Sequence, residues 1–561
     1  MIKKAIKTTL GLILVIGSSG YAQSTNDALK AIDAEQYQKA KTILKGLTNS
    51  QASNAENYFH LGNVYLKQGY TDSAKMTFNK GISANVAYPL NHIGLGSVEL
   101  DGKNAMGAQP YYDKALATLK KKDYLPLLYI GRSLIDAPKP LKGISPDYQK
   151  AITYLEKAKA LNPKDANIYL ALGDAYRGQM KNSEAFSAYR SAFDLDKSLL
   201  RSKVALGIIN KESKAWPESV VEFNNVLAID ANYAPAYREL AETNLQWGFG
   251  NLKERDAKIK QALEHYKKYI SLTDKSIESR MRYADFLVYA NDWKTLQQEA
   301  EAMVQLDKTN PRIYRYLGYA SYENGNYPAS LQAIKDFMAK VDSKRLLGSD
   351  YLYLGKAQLK TGATAEGFTN IKKAIEMDST SIEVMSEVAK AFYTEKQYPD
   401  AQMAYEIAIK NPESKTLLND HVNLGLSYYY DYAAKIKANE KPGKEFLTKA
   451  DSSFSYVIQK SPAADVAYIL RARVKRLADD QVNPQGLSVS DYEKFIELTT
   501  AKGGVMSAGT KGMMVEAYNN VGAFYVKTNL PKAKEYLTKA AELDPANTYS
   551  RDVLKQIGGS K

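Results

Sequence analysis

The residues best suited to acid–base or metal chemistry in this sequence are its four histidines, His60, His92, His265 and His421. None pairs with another histidine, or with acidic residues, at a metal-ligand spacing. His60 and His92 stand beside Leu61-Gly62 and Leu95-Gly96, where they read as helix-surface or packing residues. The glycines of Gly248-Phe249-Gly250-Asn251 follow no strand pattern and lack the further glycines of a phosphate loop. No serine stands in a nucleophile-elbow pattern. The carboxylate pair Asp479-Asp480 falls in a loop with no partner. The chain has no cysteine, which removes disulfides, thiolate metal sites and cysteine nucleophiles. The sequence therefore predicts no enzyme, no catalytic residue, no metal and no cofactor.

What remains is the chemistry of recognition. There are 42 Tyr against 14 Phe and 3 Trp, with a formal net charge of +14. Tyrosine and arginine are enriched where proteins hold partners. The positive balance favours anionic partners in general. The lysines and arginines form no block, so a solvated basic surface accounts for them as well as a dedicated site does.

Such residues must be positioned by something, and the chain repeats itself. "AITYLEKAKALNPKDAN" begins at Ala151, and "PKAKEYLTKAAELDPAN" begins at Pro531. Thirteen pairs of an apolar and a small residue recur: Leu61-Gly62, Leu95-Gly96, Ile130-Gly131, Leu172-Gly173, Leu206-Gly207, Leu240-Ala241, Tyr283-Ala284, Leu317-Gly318, Leu354-Gly355, Val388-Ala389, Leu424-Gly425, Arg471-Ala472 and Val521-Gly522. Five of the twelve intervals are 34 residues, and the others are that length plus an insertion. Twelve residues after the small one comes Ala74, Ala108, Ala185 or Ala401. Four further on is an aromatic (Phe78, Tyr112, Tyr189, Phe223, Tyr405), and three beyond that Gly81, Ala115, Ala192 or Ala408. Steps of four and three mark one helix face. Asn162-Pro163, Asn411-Pro412 and Asp544-Pro545 close helices, because proline lacks the amide donor and pushes its predecessor out of helical geometry.

The pattern predicts antiparallel helix pairs. A glycine inside a helix costs about 1 kcal/mol relative to alanine, and nine of the thirteen units place one at the same point. Close backbone approach, with the aromatic of the second helix filling the gap, offsets that cost. Each pair leaves an apolar face that only the next pair can bury.

A 34-residue unit with Leu-Gly, Tyr, Ala, an aromatic, Ala and Pro resembles the tetratricopeptide repeat (TPR) of exported bacterial proteins. Leu172, Gly173, Tyr176, Ala185, Tyr189 and Ala192 carry the clearest unit; Tyr58, Leu61, Gly62, Tyr65, Ala74 and Phe78 carry another. Ser219, Leu296, Ser330 and Gly367 stand where alanine is usual, and Arg471 replaces an apolar residue. The resemblance implies an all-α, right-handed superhelical solenoid of stacked antiparallel helix pairs.

The expected organisation is a cleaved signal peptide at 1–22, a leading partial unit at 23–54, N-terminal units at 55–276, C-terminal units with insertions at 277–547, and a capping helix and tail at 548–561. The leader holds Lys3, Lys4 and Lys7, then an apolar run from Leu10 to Ile16, with Gly20 and Ala22 at peptidase spacing. That run is shorter than the about 20 residues a membrane span needs, and no later stretch is long enough. Among the insertions, 136–146, 479–490 and 499–512 read as loops. Residues 247–261 and 428–446 read as lengthened helices joined by a turn.

In the repeat family the first helix of each unit lines a concave groove. The resemblance places Phe59, Asn63, Leu66, Ile93, Leu100, Leu128, Arg132, Leu170, Asp174 and Arg177 there in the N-terminal third. In the C-terminal half it places Arg312, Arg315, Tyr319, Tyr322, Lys356, Tyr393, Tyr429, Tyr430, Arg473 and Arg476. The expected function is a non-catalytic scaffold or adaptor that binds proteins or peptides of the cell envelope. The expected location is exported: periplasmic, outer-membrane-associated or secreted. The alternative is a carbohydrate-binding accessory protein of polysaccharide export or capture, its groove stacking on glycan or gripping anionic ligands. A nucleic-acid partner does not suit a leader peptide, and the aromatics carry no RNA-binding signature.

Overall fold

The computed structural model describes residues 24–137 and 147–559. The leader at 1–22 and nearly all of the loop at 136–146 lie outside the described residues. Twenty-nine α-helices and two short 3₁₀ turns follow one another, with no strand among the described residues. Within each unit they form an all-α solenoid in which successive helices pack against one another, and several first helices of successive pairs also touch. Among the described residues no helix is long and apolar enough to cross a membrane. The chain divides into two compact units, 1–316 and 317–561, with the boundary inside helix Pro311–Glu323.

Local chemistry sets the ends of the helices. Asn54 caps helix Ala55–Lys67 by accepting the Glu56 amide at 3.1 Å. Asp165 caps Ala166–Gly178 through the Asn167 amide at 2.8 Å. These short side chains satisfy amides that have no partner inside the helix. Between the two helices of a pair, one residue turns left-handed: Gly69, Gly325 and Gly362 do so freely, and Glu35, Lys103, Met180, Lys214, Asn291 and Lys396 do so with φ between 55° and 62°. The turn brings the following amide back onto the helix, as where the Tyr70 N–H reaches the Tyr65 carbonyl at 2.9 Å.

The glycine ladder is a seam. An added Cβ at Gly62, Gly96, Gly173, Gly207 or Gly425 would overlap the ring of Phe78, Tyr112, Tyr189, Phe223 or Phe454. At Gly131, Gly318, Gly355 and Gly522 an aliphatic side chain (Leu155, Ile334, Ile371, Leu537) fills the same space. The departures from alanine have their own logic. Ser219 donates its hydroxyl to the Gly207 carbonyl at 2.9 Å, and Ser330 donates to the Gly318 carbonyl at 2.7 Å. A polar atom buried in the seam is thereby satisfied by the helix it faces. Arg471 reaches past the seam to Asp491, donating from Nε at 2.9 Å.

The lengthened helices occur at both expected places: Ala234–Gly250 with Arg255–Leu272, and Leu417–Lys437 with Glu445–Lys460. The segment at 499–512 differs from the expected loop. Helix Val489–Lys502 runs into it from one side and Ala508–Tyr525 leaves it on the other. Gly503 and Gly504, with φ of +64° and +79°, stop the first, and the Ser507 hydroxyl caps the second.

Candidate functional site

In unit 1 the first helices of successive pairs present one face to a common cavity of about 350 Å³. Its floor is apolar, with Phe59, Ile93 and Leu100 at 2, 1 and 9% exposure. Around it lie Lys67, Arg132, Asp136, Asp174 and Arg201. Asn63 lines the same wall, one residue past Gly62.

The cations here are not bare. Arg132 donates to Asn167 Oδ1 at 3.1 Å, and its guanidinium lies 5.6 Å from the Tyr129 ring. Arg201 is 3.3 Å from Asp174, which also accepts the Tyr189 hydroxyl at 2.8 Å. Arg177 stands 3.9 Å from Glu212. Arg282 reaches Glu242 at 2.5 Å, and Arg312 reaches Asp285 at 2.7 Å. These pairs join the first helix of one repeat to that of its neighbour. The Asp174 carboxylate raises the Arg201 guanidinium above its ordinary value. Burial would raise the Glu239 carboxyl, but Lys211 at 2.5 Å and Arg238 at 3.1 Å outweigh it and hold it below. Burial raises the Asp33 carboxyl even though Tyr233 donates a hydroxyl to it.

In unit 2 the tyrosines mostly face one another. Tyr319 is 9% exposed, stacks on Tyr353 with centroids 4.1 Å apart, and donates to Asp350 at 2.6 Å. Tyr322 lies 5.2 Å from Tyr327 and 5.6 Å from Tyr353, with the Lys356 ammonium 4.3 Å from its ring. Lys356 is also 3.6 Å from Glu323. Beyond these residues is a cavity of about 340 Å³ whose apolar wall is Leu359, Val388 and Phe392. Tyr393 meets Tyr398 edge-on, and Tyr398 stacks against Tyr430 at 5.6 Å. Tyr429 packs partly into the core, whereas Tyr430 is 39% exposed. Arg473 clamps Glu516 at 2.7 Å, and Arg476 is exposed. Arg315 is half-buried on helix Pro311–Glu323.

The histidines pack. His421 stacks on Tyr456 at 3.9 Å, and His60 sits edge-on to Phe59 with Glu56 at 3.7 Å. Burial holds His92, His265 and His421 below the usual imidazole value. Among the described residues no group of three or more acidic or histidine side chains could hold a metal ion. The arrangement can hold a ligand.

Sequence reasoning missed Arg201, Arg238 and Arg282, together with their acidic partners. Arg282 stands directly before its apolar–small pair, Arg238 two residues before and Arg201 five before, the last two at the same repeat positions as Arg315 and Arg312. The recurrence of arginine before the pairs at Ala241, Ala284 and Gly318 was the available signal.

A family model described as tetratricopeptide repeat matches residues 55–85, and a second with that description matches 147–198. The chain carries tetratricopeptide repeats. Proteins built of this repeat are generally non-catalytic scaffolds that bind proteins or peptides. Anaphase-promoting complex subunit 3 of Schizosaccharomyces pombe is 27% identical over 170 residues, 29% of this chain. Tetratricopeptide repeat protein 37 of Xenopus laevis is 28% identical over 131 residues, 22% of this chain. The chain spans 23% of the first relative's length and 8% of the second's. Among solved structures, the C-terminal part of a TPR repeat-containing protein from Cytophaga hutchinsonii is 26% identical. It covers 48% of this chain and 98% of its own, with a TM-score of 0.34. A tetratricopeptide repeat protein from Parabacteroides merdae is 16% identical and covers 46% of this chain and 93% of its own, with a TM-score of 0.30.

Proposed function

We propose that this chain is a scaffold or adaptor of the cell envelope that holds a protein or peptide partner in the groove formed by its TPR first helices. The observation that carries the reading is the wall of the unit 1 cavity. Apolar side chains and paired charges of both signs line it, as a polypeptide with its own mixed side chains requires. The envelope setting is supported by the leader pattern alone: lysines, a short apolar run and small residues before position 23.

The test is a crosslinking pull-down from envelope fractions, with N-terminal sequencing of the purified protein. A mature chain starting at Gln23 and envelope polypeptides among the adducts are expected. Cytosolic partners alone, or an intact Met1, would reject the envelope assignment. A carbohydrate partner is favoured by one observation, the exposed ring of Tyr430 beside Tyr398. Loss of glycan binding in Tyr430→Ala with unchanged pull-downs would move the reading there.

A further inference from the structure

Unit 1 closes on itself. The turn after helix Thr25–Asp33 and the start of helix Tyr37–Ser50 touch residues that lie 200 to 236 positions later in the chain. Tyr233 donates its hydroxyl to Asp33 at 2.8 Å. Glu35 meets the Arg238 guanidinium at 2.8 Å and accepts the Tyr269 hydroxyl at 2.9 Å. Gln36 Nε2 donates to the Leu272 carbonyl at 3.3 Å, and the Gln38 N–H donates to Asp274 at 2.5 Å. Because every intervening helix packs on its chain neighbour, these contacts join the ends of a circuit of helix pairs. The groove of unit 1 is therefore a passage ringed by helix pairs and partly open to solvent.

The closure differs in kind from the seams. Seams are apolar and interlocked: the core around Ile43 and Leu44 continues to Leu61 and Val64 of the following pair. The contacts at the closure include hydrogen bonds and one charged pair, which water can replace.

The wall of the passage selects among occupants. Tyr129 meets Phe59 edge-on at 4.9 Å and carries Arg132 over its ring, so it offers no open face to a sugar. Cations and carboxylates alternate along the wall (Lys67, Asp136, Arg132, Asp174, Arg201), which does not suit a polyanion. Apolar floor and paired charges together suit an extended polypeptide.

We infer that the contacts from Asp33 to Gln38 are a clasp: the unit 1 passage takes an extended polypeptide segment, and folded material reaches it only when Glu35 releases Arg238 and Tyr269. The inference rests on the groove of unit 1 being the binding surface proposed above.

The chain has no cysteine, so Asn63→Cys places a single thiol on the wall of the passage. Its reaction with N-ethylmaleimide and with a maleimide on a short linker to a folded carrier protein reads the clasp. With the clasp intact the carrier should react at least tenfold more slowly than the small reagent. Adding Glu35→Ala should speed the carrier at least tenfold and change the small reagent less than twofold. Tyr233→Phe removes one hydroxyl with little risk to folding, and should speed the carrier several-fold. A carrier rate that is already fast, or that neither substitution changes, overturns the clasp.

The occupant is read by protection of the same thiol. Reduced, carboxymethylated α-lactalbumin, which is permanently unfolded, should slow N-ethylmaleimide at least threefold, whereas native α-lactalbumin and dextran should not. Protection by dextran, or by the native form equally, overturns the polypeptide assignment. Clasp kinetics as expected with no polypeptide in the envelope pull-down would reject the scaffold reading and leave the clasp standing.

Discussion

Phe78 lies between two glycines: a Cβ added at Gly62 of its own pair or at Gly94 of the next would overlap its ring. One aromatic thus fixes both the closeness of the two helices in a pair and the seating of the following pair. The ring is fully buried. This is the interaction that makes a single pair insufficient and a stack stable.

Gly62→Ala is accordingly expected to destabilise the protein, although alanine is the better helix former. The methyl group must displace a packed ring, at about 1–3 kcal/mol, against a propensity gain of about 1 kcal/mol. The double variant Gly62→Ala with Phe78→Leu should recover part of the loss. Thermal unfolding followed by circular dichroism decides; a rise in melting temperature for the single variant contradicts the seam.

Ser330→Ala should be nearly silent, within about 1 kcal/mol, since the lost bond to the Gly318 carbonyl is offset by removing a hydroxyl that had to be desolvated. Ser330→Val should cost clearly more, because the 0% exposed site has no room for two methyl groups. Equal costs for the two would mean that the hydroxyl, not the space, matters.

Asp491 is 3% exposed in its side chain and lies between Arg471 at 2.5 Å and Lys475 at 2.9 Å. Asp491→Ala leaves those cations without their counter-charge, at an expected cost of about 3–5 kcal/mol. Replacing Arg471 and Asp491 together by leucine restores the apolar residue the repeat pattern predicts, and should recover most of that stability. Denaturant midpoints of the single and double variants provide the comparison; strictly additive losses would refute the pairing.

Glu239 gives a pH dependence. Its carboxyl is held below the ordinary value of 4.5 in the folded chain, because Lys211 and Arg238 outweigh the effect of burial. A depressed folded value means stability that is present above the unfolded value and lost as pH falls through the folded one. The melting temperatures of wild type and Glu239→Gln should differ most near pH 7 and converge below pH 4.5. A difference that stays constant from pH 7 to acid assigns no such role to the carboxylate.

Tyr319 and Tyr430 belong to different classes despite their similar places in the repeat. Tyr319→Phe removes the donor to buried Asp350, and should cost about 1–3 kcal/mol. Tyr430→Phe should stay within about 0.5 kcal/mol, since the ring is 39% exposed. If partner binding changes only in Tyr430 variants, the exposed ring is the contact; a stability loss of the same size in both would place Tyr430 in the core.

The helix pairs were legible in the amino-acid order because each is made by neighbours in sequence. The Gly62–Phe78 spacing and the long helices near Trp247 and Tyr430 follow from steps of three and four along one face, and the stop at Asn162-Pro163 follows from proline's missing amide donor. The state of the groove residues was not legible in this way. Nothing in the spacing says that Arg312 meets Asp285, that Tyr319 turns its face to Tyr353, or that Gly503 and Gly504 shorten a loop of fourteen positions to five. The first two depend on which side chain of the neighbouring pair comes opposite, and so on the rotation between pairs; the loop depends on how far its flanking helices run before Gly503 stops one and Ser507 caps the other.

The closure of unit 1 lies furthest from the sequence. Glu35 and Arg238 meet across some two hundred residues only because small rotations, one per pair, add up to a full circuit. The chain order fixes each pair and its apolar seam through local periodicity. The accumulated geometry alone decides whether the two ends of the circuit meet around the groove of unit 1.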